Sequence, residues 1–250
     1  MPQNLISRIN KIHREQGLSV LTKKIFNSTM SVLSYPYCLI KIKTIKNYNA
    51  EKLVDFTFNK CYGLIKPMQI KKEILELMNI LKKFQPKNIL EIGTARGGTL
   101  FLFSHIIPED ASIISIDLPH GEFGGGYPNW KIPLYKSFAM KNQKIHLIRK
   151  NSHKKETLKQ VKSILKEQKI DFLFIDGDHT CEGVKKDYLI YSPLVKKDGI
   201  IAFHDIAIHP QGSGCKVNKF WNEIKKKYNY KEIIDEHDQN WGGIGILYPK

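Results

Sequence analysis

Two short stretches of the 250-residue chain concentrate side chains that could do chemistry. In FIDGDH, residues 174–179, two carboxylates and an imidazole follow an apolar run with the character of a buried strand. In GIIAFHD, residues 199–205, a second apolar run ends in His204 and Asp205. Ligands of an open parallel sheet gather beyond the carboxyl ends of its strands. If the two runs are neighbouring strands, Asp176, His204 and Asp205 meet as two carboxylates and one imidazole. That is a facial donor set for a divalent ion, with positions left for water and substrate oxygens. The plainer alternative is a turn cap for Asp205 and core packing for His204. His179 is the candidate general base, a neutral imidazole able to take the proton of a hydroxyl. Asp178 reads as solvent-facing or as a loop brace.

A third stretch, NILEIGTARGGTLFLF (residues 88–103), reads as a strand, a glycine turn and the start of a helix. Gly93 and Gly97 permit a tight turn and close backbone approach, and Gly98 and Thr99 open a helix whose free N–H groups can hold an anion. The spacing is E-x-G-x-x-x-G, not the G-x-G-x-x-G of a dinucleotide site. This suits a ligand without pyrophosphate. S-adenosylmethionine offers one carboxylate for the turn of Gly93, Thr94 and Gly97, and an ammonium group for an acidic partner, Glu91. Asp117 ends the next candidate strand, where a carboxylate can take both ribose hydroxyls. Asn151 and Ser152 follow the third strand, beside the place of an adenine ring, or cap the helix after them. Asp176 belongs to this cofactor set as well as to the metal set.

The elements that must position these groups alternate from residue 87 onward. Candidate strands at residues 88–92, 112–117, 145–149, 171–176 and 199–205 are separated by amphipathic segments, the pattern of a parallel sheet covered by helices. One segment spaces Leu158, Val161, Ile164 and Leu165 onto a single helical face. Near the end, KEIIDE and GIGILYP are expected to pair antiparallel at a sheet edge. HGEFGGGYPNW, residues 120–130, reads as a flap presenting Phe123, Tyr127 and Trp130, or as a plain surface turn. His209, Gln211 and Lys216 are candidates for acceptor selection. Residues 1–65 lack the alternation and read as an N-terminal helical accessory region, with the main domain over 66–250. Its tract Met30–Ile45 either packs on that domain or touches a membrane surface or partner.

The formal net charge is +16, and the lysines that carry most of it are spread along the chain with no RNP, zinc-finger or arginine-rich motif. The charge is therefore read as surface solvation, and no specific nucleic acid is expected as partner. Cys38, Cys61, Cys181 and Cys215 show no CxxC or zinc spacing and read as reduced thiols of a cytoplasmic protein. The N-terminal residues lack the apolar core of a signal peptide, and no apolar run suffices to span a bilayer. A soluble or membrane-associated chain is expected.

Taken together, LEIGTARGGT, FGGGYPNW, FIDGDH and GIIAFHDI resemble the class I S-adenosylmethionine-dependent methyltransferases. Within that group they look like the metal-dependent O-methyltransferase branch near macrolide-sugar O-methyltransferases and the cephalosporin hydroxylase family. The resemblance covers residues 64–248. It implies an α/β, Rossmann-like, doubly wound seven-stranded sheet, order 3-2-1-4-5-7-6 with the last strand antiparallel, behind an N-terminal helical extension. It also implies magnesium at the positions matching Asp176 and Asp205, with His179 as base. The implied reaction is methyl transfer to a hydroxyl of a small-molecule or glycan acceptor: a sugar, glycan, glycolipid or secondary metabolite. One departure stands out: the residue before the final aspartate is acidic in the best understood relatives but is His204 here, which either favours a softer ion such as manganese or weakens metal binding. Rival readings are a hydroxylase-type relative with redox-active iron and a basic nucleic-acid-binding or RNA-modifying protein on the same fold. Peripheral membrane contact and homo-oligomerisation are compatible with all of these.

Overall fold

The computed structural model describes residues 32–249 apart from Asn47, Glu122, Gly124, Gly125, His237 and Asp238, together with Leu18, Ser19, Thr22, Phe26, Thr29 and Met30. Two glycines of the expected flap, Gly124 and Gly125, thus lie outside the described residues.

The described strands are β1 (Asn88–Ile92), β2 (Ser112–Ile116), β3 (Lys144–Ile148), β4 (Ile170–Ile175), β5 (Val195–His204), β6 (Asn229–Ile233) and β7 (Ile244–Tyr248). They form one sheet in the order β3-β2-β1-β4-β5-β7-β6. β1 pairs parallel with β2 and β4, β2 with β3, and β4 with β5, while β7 runs antiparallel to both β5 and β6. Order and sense are as the sequence and its resemblance implied. The strand ends differ slightly: β2 and β4 stop one residue short of Asp117 and Asp176. Each acid therefore sits where the chain leaves the ladder and its side chain is free to turn into the space above the sheet.

Every position of β4 is buried, as expected of a strand covered on both faces. The period-two alternation of a strand sorts its side chains between two cores. Phe172 and Phe174 join Ile89, Ile200 and Ala202 on one side, and Leu173 and Ile175 join Leu90, Ile92, Ile201 and Phe203 on the other. The first core is closed by α1 (Tyr35–Lys43), α2 (Ala50–Asn59), α3 (Lys71–Phe84), α4 (Gly98–Ile106) and α5 (Ile132–Lys136). The second is closed by α6 (Lys155–Leu165), α7 (Cys181–Tyr191) and α8 (Val217–Ile224). On α6, Val161 and Leu165 are buried and Leu158 and Ile164 are packed beside them, the single face read from their spacing.

The described part of the N-terminal region joins the first core. Asn49 caps α2 by accepting from Lys52 N, which leaves Leu53, Val54 and Phe56 facing inward, and the Phe56 ring stacks on Phe101 at 5.5 Å. One expectation is corrected here. Cys38 of α1 and Cys61 of the following turn are joined by a disulfide, whereas Cys181 and Cys215 remain thiols. The pair lies 23 residues apart, with no short-range spacing to announce it, and is brought together by the packing of α1 against that turn. No described helix is long and apolar enough to cross a membrane.

Candidate active site

A cavity of about 330 Å³ opens beyond the carboxyl ends of β1, β2 and β4, and Gly93, Asp117, Asn151, Ser152 and Asp176 line it. The backbone explains how the three strands converge. Gly93 has φ +97°, and a Cβ on it would lie 2.0 Å from the carbonyl oxygen of Asp176, so only glycine lets the two chain ends approach this closely. Gly97, at φ +78°, gives its Cβ space to the Tyr135 ring. Tyr135 in turn donates its hydroxyl to Ala95 O at 3.0 Å, and Ala95 N donates to Asp117 Oδ2 at 2.8 Å. The turn thus runs braced between strand and helix, and the first N–H groups of α4 have no side-chain cap.

Burial pushes the Asp117 carboxyl up to about 6, against hydrogen bonds from Ala95, Leu118 and Thr94 backbone. Asn151 accepts from His153 N at 2.8 Å and its carbonyl takes the Thr157 hydroxyl, so it braces the turn ahead of α6. Lys154 occupies the cap position without a side-chain bond, so neither Asn151 nor Ser152 caps the helix. Thr94 is buried, shares a hydrogen bond with the Ser115 hydroxyl and lines a smaller groove with Lys66, Met68, Gln69 and Arg96. Glu91 is not where the sequence reading put it. It is fully buried, outside both openings, and its two oxygens accept the hydroxyls of Thr99 and Ser115. A side chain at position 91 points into the packed layer behind the turn, and burial pushes its carboxyl up to about 8.

The second cluster assembles at the next pair of strand ends. Ile175 of β4 is in register with Phe203 of β5, which sets Asp176 beside His204. The chain then reverses through Asp205 in the left-handed region, φ +64°. One ligand atom from each of Asp176, His204 and Asp205 lies within 4.8 Å of the others. His204 Nδ1 is 3.0 Å from Asp176 Oδ1 and 3.3 Å from Asp205 Oδ1. His179 Nδ1 is 2.8 Å from Asp205 Oδ2, and its Nε2 is 3.7 Å from Asp176 Oδ1. Asp178 does serve as a brace, accepting from both the backbone and the hydroxyl of Thr180.

The charges in this cluster are strongly interdependent. Burial opposes protonation of His179, but hydrogen bonds to Asp205 and Cys215 and the two nearby carboxylates outweigh it and push the imidazole up to about 10. His204 is raised well above its ordinary value in the same way, its burial overcome by Asp176 and Asp205. Asp205, whose burial alone would raise it, is held far below the usual carboxylate range by His204, His179 and His209.

Several participants carried no sequence signal or a different one. Gln69, 107 residues before Asp176, donates to Asp176 Oδ2 at 2.6 Å, and nothing in its local sequence announces it. His209, read as an acceptor-selecting residue, instead places Nε2 3.1 Å from Asp205 Oδ1. Cys215 joins His179 and Asp205 in a second set of ligand atoms within 4.8 Å. Gln211 and Lys216 are exposed, and Lys216 N donates to His179 O. Of the three flap aromatics, Phe123 stacks flat on His179 at 4.8 Å, whereas Tyr127 is packed against Tyr135 and Trp130 meets Tyr35 of α1 edge-on. Gln69 Oε1 and His204 Nε2 are buried without a hydrogen-bond partner among the described residues.

Comparison with known proteins places this geometry in context. Residues 90–206 match the Methyltransf_24 family, described as a methyltransferase domain. The chain is 30% identical over 145 residues to Tapetum-specific methyltransferase 1 of Arabidopsis thaliana, covering 57% of each protein. It is 23% identical over 174 residues to the uncharacterized protein y4gI of Sinorhizobium fredii, covering 68% of this chain and 18% of that one. The chain therefore spans 18% and 57% of the lengths of these two curated relatives. The O-methyltransferase from Bacillus cereus in complex with SAH superposes with a TM-score of 0.54 at 15% identity, over 89% of this chain and 99% of that one.

Proposed function

We propose that this chain, a methyltransferase domain of the class I S-adenosylmethionine-dependent fold, transfers a methyl group from S-adenosylmethionine to a hydroxyl of a sugar, glycan, glycolipid or secondary metabolite. One observation carries the reading: Asp176 lines the cavity with Asp117 and also belongs to the aspartate–histidine cluster. A cofactor bound along the first site would present its reactive end to the second.

In this reading Asp117 accepts from the ribose hydroxyls, the turn from Gly93 to Gly97 and the uncapped start of α4 take the carboxylate, and Asn151 and Ser152 border the adenine. Glu91 supports the turn through Thr99 and Ser115 without touching the cofactor; Asp176 is the acid that lines both the cavity and the groove.

Asp176, His204 and Asp205 would hold a divalent ion. The donor chemistry fits: His204 turns Nδ1 toward both carboxylates, at 3.0 Å from Asp176 Oδ1 and 3.3 Å from Asp205 Oδ1. An imidazole among the donors suits manganese or a similar borderline ion better than magnesium, which prefers oxygen ligands. Such an ion, when bound, makes a hydroxyl more acidic.

The chain's own residues supply the rest. An aliphatic hydroxyl is a weak acid, so its proton must leave as the oxygen–methyl bond forms and the sulfur–methyl bond breaks, yielding a methyl ether and S-adenosylhomocysteine. His179, oriented by Asp205 at 2.8 Å and covered by Phe123, is placed to receive that proton. The carboxylates that now favour its protonated form would favour it less once their charge is neutralised.

The first test is calorimetric titration with S-adenosylhomocysteine, with NAD as control. Micromolar binding is expected, weakened about 10- to 100-fold in Asp117→Ala, the loss of hydrogen bonds to a charged group; no binding by the folded wild-type chain would oppose the reading. With a hydroxylated acceptor in hand, Asp205→Ala is expected to abolish stimulation of methyl transfer by manganese, and retained stimulation would remove Asp205 from the metal set.

A further inference from the structure

The outward face of α1 is apolar, aromatic and basic. Leu33, just ahead of the helix, and Tyr37 and Ile40 within it follow one another at helical spacing on this side, with Leu33 67% and Ile40 64% exposed, while Cys38 and Ile42 on the opposite face are buried. Lys41 and Lys43 close the helix, and the Lys41 ammonium lies 5.4 Å from the centre of the Tyr37 ring. Between Glu15 and Glu51 the sequence carries five lysines and no acidic residue.

The next turn extends the same face at a conformational cost. Cys61, Tyr62 and Gly63 are all left-handed, with φ of +55°, +48° and +77°, a region that residues other than glycine, asparagine and aspartate rarely adopt. The disulfide to Cys38 and a 3.0 Å bond from the Ser34 hydroxyl to Cys61 O hold the turn in place. The result is that Tyr62 stands 62% exposed, its ring 6.2 Å from that of Tyr37. The chain then continues through exposed Lys66 and Met68 along the groove that Arg96 and Asp176 also line.

We infer that this face docks on an anionic lipid bilayer. Aliphatic side chains enter the acyl boundary, tyrosines suit the headgroup layer, and lysines pair with anionic lipid. Lys41 and Lys43 at the end of the helix argue against a second copy of the chain as occupant, because a two-fold contact would set like charges against each other. The net charge of +16 directs the whole molecule toward the same kind of surface.

The test is co-sedimentation of the full chain with phosphatidylcholine vesicles, with and without phosphatidylglycerol. Its readout is vesicle binding, so it stands apart from the methyl-transfer reading. Binding is expected only with phosphatidylglycerol present and is expected to weaken with added salt. The triple variant Leu33→Ser, Ile40→Ser, Tyr62→Ser, checked for an unchanged melting temperature, should lower vesicle binding at least about ten-fold, since each exposed side chain removes apolar area from the contact. Leu189→Ser, an exposed position on α7, should leave it unchanged. If the triple variant misfolds, the single change Ile40→Ser is measured in its place and should still weaken binding. The inference is overturned if the wild-type chain ignores anionic vesicles, or if the α1 variants and Leu189→Ser bind alike. It is also overturned if the chain forms a concentration-dependent dimer that the triple variant dissolves.

Discussion

At the scale of residues, three acids of similar appearance in the sequence end in three different electrostatic situations. Asp117 is raised to about 6 by burial, Glu91 to about 8, and Asp205 is driven the other way by three imidazoles. For Asp117 the consequence is a binding profile. If its ionised form accepts from the ribose, affinity for S-adenosylhomocysteine falls as pH drops through about 6, and Asp117→Asn removes that dependence; calorimetry across the window decides it. For Glu91 the consequence is stability. The folded chain holds a proton that the unfolded chain has already lost between the ordinary value of 4.5 and about 8. Its contribution is therefore full below the lower value and is lost as pH rises through the upper one. Relative to Glu91→Gln, the wild-type melting temperature is expected to fall between these limits, by roughly 2–4 °C for each kcal/mol lost in a chain of this size. Melting curves that move in parallel across the window would show that the buried carboxyl does not titrate there.

At the scale of elements, the site depends on how closely β1 and β4 end together. Gly93→Ala would push a methyl into the carbonyl oxygen of Asp176 at a backbone angle that alanine avoids. A loss of about 3 kcal/mol or more follows from the combined clash and strain, with both the cofactor pocket and the Asp176 cluster displaced. Chemical denaturation of Gly93→Ala measures the first effect and S-adenosylhomocysteine titration the second; a variant with wild-type stability would mean the turn can open without cost. The strands themselves were legible because their apolar runs are short, β-branched and regularly spaced. Their last residues were not, since periodicity does not mark where a chain leaves a ladder. That difference of one residue at Asp117 and Asp176 frees both side chains to face the cavity.

At the scale of the whole molecule, the described part of the N-terminal region shares the core of the main domain, and a covalent bond within that region joins α1 to the turn after α2. The disulfide closes a loop between positions 23 residues apart, and a loop of that length is worth about 3 kcal/mol through the unfolded chain. Replacing both Cys38 and Cys61 by serine is expected to lower the melting temperature by roughly 6–12 °C. Adding a reductant to the wild-type chain should reproduce much of that loss. An unchanged melting temperature in both experiments would mean that packing alone holds α1 in place.

The sequence alone determined the repeating strand–helix pattern, the glycine turn, and the acids and histidines at the strand ends. Each of these rests on local periodicity or on a backbone conformation that few residues adopt, and both are written in neighbouring positions. Tertiary structure decided what distance along the chain conceals: Gln69 on Asp176, His209 on Asp205, Phe123 on His179 and Cys38 joined to Cys61. It also turned Glu91 away from the cavity, because which side of a packed layer a strand residue faces depends on the helix laid across it. Burial and charge coupling, which set the protonation of the site, exist only once those distant segments are in contact.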